Sequence, residues 1–173
     1  MISTKVQDAI NNQINAEFWS AYLYLSMAQY FHSHGRPGIA NWFDIQFKEE
    51  QAHAQILINY LNSRGGRVLL KPIDAVPTEW SSELDAFKAV LQHEEKVTAL
   101  INNLYAVAEE ERDYATRGRL DWFINEQVEE EETANTIIER LKLIGDNGLA
   151  LYTLDTELGT RTYTVPSPLT SAE

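Results

Sequence analysis

The sequence predicts an all-α fold, a bundle of four long helices with a long crossover and a short fifth helix, on three observations. Apolar residues recur at helical spacing through four segments of about thirty residues each. Glycine and proline gather at the edges of those segments and between them. Each apolar face is also broken near its midpoint by an acid or an amide, an irregularity that all four segments share. At 173 residues the chain is long enough for one domain, 1–173, with a substantial core.

The first helix is expected over about 4–33, with Thr4-x-x-Gln7 as a capping box at its start. Its inner stripe reads Val6, Ile10, Ile14, Glu17, Ala21, Leu25, Ala28. Gly35 and Pro37 stop it and open the second helix, about 37–64, because proline is tolerated at a first helical position. That helix carries Ile39, Phe43, Gln46, Glu50, His53, Leu57 and Leu61 on one face, and Gly65-Gly66 closes it.

Residues 65–82 hold Gly65, Gly66, Pro72, Pro77, Ser81 and Ser82 and no sustained helical period. A linker of that length lets two consecutive helices of a bundle point the same way, where a short loop would not. The third helix, about 83–112, has the stripe Phe87, Leu91, Glu94, Thr98, Ile101, Tyr105. A break around Asp113 to Gly118 precedes the fourth, about 116–144, with Phe123, Gln127, Glu130, Ala134, Ile137 and Leu141 inward. After Gly145-Asp146-Asn147-Gly148, residues 148–158 form a short fifth helix with Asn147 as its cap. The tail 159–173, with Pro166 and Pro168, reads as loosely ordered.

Composition narrows the function. With 26 acidic residues against 14 basic ones, the net charge of −12 disfavours nucleic acid and anionic membranes and suits a protein that attracts cations. Cysteine is absent, so disulfides, thiolate zinc sites and cysteine-ligated clusters are excluded. The first residues lack the apolar run of a signal peptide, and no segment is long enough to span a bilayer. A cytoplasmic location is expected.

The acids on the inner stripes carry the chemistry. Glu50 and His53 stand three residues apart and so project from one side of their helix. Helices of thirty residues are about 45 Å long, and Glu17, Glu50, Glu94 and Glu130 each fall near a midpoint. They are expected to meet at one depth in the core, with His53 and Gln127. Carboxylates gathered there repel one another unless cations intervene. Four carboxylates with one imidazole suit iron or manganese better than structural zinc, and two ions that share electrons could reduce dioxygen or peroxide. Glu49, Glu126 and Glu129 lie one residue off the stripes and, with Glu130, could hold a third ion.

These residues resemble the non-haem bacterial ferritins along essentially the whole chain. Glu17 and Glu94 match that family's single glutamates, and Glu50-Gln51-Ala52-His53 matches a Glu-x-x-His. Gln127-Val128-Glu129-Glu130 replaces the second such motif, as in true ferritins rather than bacterioferritins. The resemblance implies a ferritin-like four-helix bundle assembled into a hollow shell of twenty-four subunits. Ferrous iron would be oxidised by dioxygen or peroxide at a di-iron ferroxidase centre and stored as a ferric oxyhydroxide mineral. It implies Glu17, Glu50 and His53 on the first iron, a bridging Glu50, and Glu94 and Glu130 on the second. Gln127 would orient water or oxidant there, and Tyr24 matches a tyrosine beside the centre. Trp122 would lie near the accessory site. No haem is expected, since Gln51 stands where a haem-binding methionine would. Arg117 and Leu120 fall where animal ferritins carry an acidic pair in their channels, so that route of iron entry does not transfer.

Plainer readings stand beside these. Glu131 and Glu132 read as a solvated acidic run, Glu95 as an off-stripe neighbour of Glu94, and His32, His34 and His93 as surface histidines. Tyr24 could be a core aromatic alone. A small ferritin-like peroxidase or oxidase that stores no iron is the rival enzyme. A metal-free bundle with a polar layer is the rival from outside enzymology.

Overall fold

The computed structural model describes residues 2–170. Among these the regular structure is helical throughout: α1 (Thr4–Ser33), α2 (Pro37–Ser63), α3 (Glu83–Glu110), α4 (Tyr114–Ile144), α5 (Gly148–Leu158) and the single turn α6 (Ser167–Thr170). None of these helices is long and apolar enough to cross a membrane.

The helix ends follow from local chemistry, with two corrections. Ser3, not Thr4, caps α1, its hydroxyl accepting from the Val6 N–H, and the Gln7 side chain turns to the crossover instead. The break after α3 is shorter than expected. Arg112 takes a left-handed conformation (φ 54°), and Asp113 caps α4 by accepting from the Thr116 N–H, so Gly118 lies inside the helix. Ser82 and Asn147 cap α3 and α5 in the same way. Gly35 and Gly65 supply the positive φ that ends α1 and α2.

The chain gathers into two compact units. The first comprises the residues up to Gln13, Leu61–Leu69 and Trp80–Leu143; the second comprises Ile14–Tyr60, Leu70–Glu79 and the residues from Ile144 on. In the first unit the buried face of α3 is Phe87, Val90, Glu94, Val97, Ile101, Leu104 and Ala108. The expected Leu91, Thr98 and Tyr105 are half-buried there. Steps of three or four both continue a helical stripe, and packing selected the step of three after Phe87 and Glu94. The face of α4 is the expected one, Phe123, Gln127, Glu130, Ala134, Ile137 and Leu141. Arg64 grips Asp113 with its two terminal guanidinium nitrogens, Nη1 and Nη2, at 2.9 and 3.0 Å. Gln7 and Asn11 hold the crossover by the N–H groups of Arg67 and Leu69.

In the second unit the α2 stripe from Ile39 to Leu57 is buried as expected, whereas Leu25 of α1 is only half-buried and Tyr24 takes the inward position. Asn15 and Ser26 donate to crossover carbonyls at Pro72 and Pro77. The start of α2 is clamped by α5. Asp155 accepts from the Ile39 N–H at 2.8 Å, and a Cβ on Gly38 would lie 1.6 Å from the Asp155 carbonyl oxygen. The stretch after Gly159 is anchored where the sequence suggested loose chain. Asn41 holds the Arg161 carbonyl at 3.0 Å, and the Arg161 guanidinium lies over the Trp42 ring. Residues 171–173 of the expected tail lie outside the described residues.

Candidate metal centre

The register of α2 and the course of α1 bring Glu17, Glu50 and His53 together in the second unit. All three are buried, at 1, 2 and 1% exposure. One ligand atom from each lies within 4.8 Å of the other two. His53 Nδ1 is 3.5 Å from Glu50 Oε2 and 4.0 Å from Glu17 Oε2. An ion bonded at about 2 Å to imidazole nitrogen and carboxylate oxygen sets such atoms roughly 3–4 Å apart, so the spacing fits one ion.

The energetics point the same way. Each carboxylate taken from water loses several kcal/mol of hydration, and two side by side repel as well. A divalent cation offsets both charges at once. Among the described residues this is the one group of three or more such ligands that meets the spacing.

The first unit holds the other predicted residues. Glu94, Gln127 and Glu130 are buried at 1, 4 and 7% exposure. Gln127 Nε2 donates to Glu94 Oε2 at 3.2 Å and to the Glu94 carbonyl and Thr98 Oγ1 at 3.3 Å each. Thr98 Oγ1 in turn donates to Glu131 Oε1 at 2.5 Å. Glu131 is therefore half-buried and engaged, which corrects its reading as a solvated acid. Glu95 and Glu132 are exposed, as expected.

The residues named for a third ion differ among themselves. Glu129 is exposed and Glu126 half-buried. Glu49 is half-buried and accepts from Arg161 Nη2 at 2.6 Å. Burial pushes the Glu49 carboxyl above its usual range, opposed by the charges of Arg161 and His53. Burial and the Glu49 charge also push the Tyr163 hydroxyl up. Neither Arg161 nor Tyr163 was visible in the sequence, since nothing in a tail of that composition announces a partner in α2.

Tyr24 is wholly buried, its ring stacked on Phe43 at 6.1 Å between centroids. Trp122 is half-buried and meets Phe123 edge-on. His32 pairs with Asp44 at 3.0 Å and His34 stacks on Tyr30, both exposed. His93 departs from the surface reading: it is half-buried, and burial together with the Lys96 charge lowers its pKa to about 4. At the positions where an acidic channel pair was not expected, Arg117 donates to the Tyr105 hydroxyl and Leu120 is buried.

Comparison with known proteins settles the lineage. The family model of the ferritin-like domain matches residues 7–144. A bacterial non-heme ferritin of Bacteroides fragilis is 45% identical over 161 residues, 93% of this chain and all of that one. The chain belongs to the ferritin family. A bacterial non-heme ferritin of Staphylococcus aureus is 42% identical over 94% of this chain and 98% of its own. Among solved structures, an open pore ferritin from the hyperthermophilic archaeon Archaeoglobus fulgidus is 48% identical with a TM-score of 0.93, covering 94% of this chain and all of that one. A closed form of the Archaeoglobus fulgidus ferritin, engineered by site-directed mutagenesis, gives 48% and 0.94 over 95% of this chain and all of its own. The fold is accordingly the ferritin-like four-helix bundle, with the long crossover between α2 and α3 and the short α5.

Proposed function

We propose that this chain stores and detoxifies iron. It oxidises ferrous ions at a carboxylate-rich centre within each subunit and deposits ferric oxyhydroxide inside a hollow shell of twenty-four copies, in the cytoplasm. The observation that carries the reading is the buried trio Glu17, Glu50 and His53, in a chain that matches ferritins over more than nine-tenths of its length.

In this reading iron is the substrate. Glu17, Glu50 and His53 take the first ferrous ion, and Glu94 and Glu130 serve a second. Anionic oxygens favour the ferric state over the ferrous one, since the higher charge gains more from them. Two ferrous ions each give up one electron, so that dioxygen is reduced to peroxide or peroxide to water. Gln127 keeps its amide hydrogens on Glu94 and Thr98, which holds the Glu94 carboxylate in one orientation. Tyr24, from the same unit as Glu17, assists the oxidation. A third ion served by Glu49, Glu126, Glu129 and Glu130 requires Glu49 to exchange its Arg161 partner. Gln51, exposed on α2, offers no thioether for haem.

Ferrous salt added in air, with ferric absorbance followed in the native protein and in Glu50→Ala, tests the centre; fast oxidation by the first alone is expected. Equal, slow oxidation by both would refute the assignment. The mass and iron content of the native assembly test storage, and an iron-free dimer would remove the storage reading.

A further inference from the structure

Thr98 and Glu131 lie outside every role assigned above, yet both are tied to Glu94 through Gln127. A threonine hydroxyl carries one hydrogen and two lone pairs. In this unit that hydrogen goes to Glu131 Oε1 at 2.5 Å, the short distance of a bond to an ionised carboxylate. The Thr98 oxygen facing Gln127 is left as an acceptor only. Gln127 Nε2, 3.3 Å away, must therefore present N–H and not its carbonyl. The same nitrogen donates to Glu94 Oε2 and to the Glu94 carbonyl. One carboxylate, half-buried on α4, thus fixes the direction of the Thr98 hydroxyl in a four-residue chain that ends on a buried carboxylate of α3.

The chain matters most when a cation arrives. A cation on the Glu94 carboxylate competes with the Gln127 N–H for its oxygens and weakens that hold on the amide. Thr98, kept an acceptor by Glu131, still holds it. We propose that Thr98 is a positioning residue for cation binding at Glu94, with Glu131 fixing the direction of its hydroxyl. This rests on the reading of Glu94 as an iron ligand.

The test uses cobalt(II), followed by its visible absorption during anaerobic titration of the assembled apoprotein, alongside ferrous oxidation rates. Outer partners of metal ligands typically contribute about 10- to 100-fold to affinity. Thr98→Val keeps the shape and removes both hydrogen bonds. It is expected to weaken the cobalt equivalent that Glu94→Ala abolishes by about tenfold, with KM for ferrous iron rising more than kcat falls. Thr98→Ser, which restores the hydroxyl, should bind like the native chain. Glu131→Gln can offer an N–H to Thr98 and reverse the chain, and should weaken the same equivalent. Native cobalt affinity in Thr98→Val overturns the inference, and so does a Thr98→Ser variant as weak as Thr98→Val. If Thr98→Val fails to assemble, Glu131→Gln against Thr98→Ser decides by the same criteria. Undiminished cobalt binding and iron oxidation in Glu94→Ala would instead refute the reading beneath it.

Discussion

In the second unit Glu17 and Glu50 gather around His53, with oxygen-to-nitrogen distances of 4.0 and 3.5 Å respectively. In the first unit Glu94 lies under an amide that also serves Thr98, and Glu131 closes the chain. Glu94 and Gln127 are buried about as fully as the trio, so burial does not separate them. What separates them is the source of compensation. Two adjacent carboxylates and an imidazole gain most from an arriving cation, whereas an amide stabilises Glu94 before any ion comes. In the proposed reading the trio captures an ion, and the amide chain holds one carboxylate still.

Removing a member of the trio should therefore have the largest effect. Glu50→Ala or His53→Ala is expected to slow ferrous oxidation by more than about 100-fold, beyond the loss typical of an outer partner. Initial rates in air check it, and a drop no larger than that of Gln127→Leu would erase the contrast between the units.

The second unit also depends on one tight contact. Gly38→Ala would drive a methyl group into the Asp155 carbonyl, and that backbone cannot swing aside as a side chain can. A loss of about 3 kcal/mol is expected, at the upper end for overpacking, read as a lower thermal midpoint. An unchanged midpoint would show that α5 does not clamp α2.

In the first unit Gln127→Leu keeps the bulk and removes the donors, and ferrous oxidation should fall by about tenfold. Arg161→Ala, back in the second unit, removes a 2.6 Å ion pair and the contact with Trp42. It should cost about 1–2 kcal/mol in denaturant unfolding.

The smallest effect is expected at Asp113. Burial would raise its pKa, but hydrogen bonds from Arg64 and Thr116 outweigh that and leave it below its ordinary value of 3.8. A carboxylate with a depressed pKa adds stability that is fully present above the unfolded value and lost as pH falls through the folded one. Asp113→Asn keeps an acceptor for the helix cap but loses the charge that faces Arg64, and should cost about 1 kcal/mol at neutral pH. The difference between variant and native chain should shrink below pH 3.8. A difference that stays constant with pH would assign the effect to packing.

Much of this was legible in the residues because it depends on periodicity. The α2 and α4 stripes are buried as their spacing predicts, and Glu17, Glu50, His53, Glu94, Gln127 and Glu130 interrupt inward faces. The α3 stripe went astray at Leu91, Thr98 and Tyr105, because a broad apolar face lets two neighbouring rows satisfy the same period. The stripe named Thr98, but its partner in α4 is one that no pattern within α3 can name.

The sequence by itself determined which side chains lie on inward faces, since helical repeat and the cost of wetting apolar surface are properties of each segment alone. Only the tertiary structure decided which partners those side chains meet. Arg161 on Glu49, Asp155 on the start of α2 and Glu131 on Thr98 join residues 112, 116 and 33 positions apart. Contacts of that kind depend on distance and direction in space, and a one-dimensional pattern carries neither.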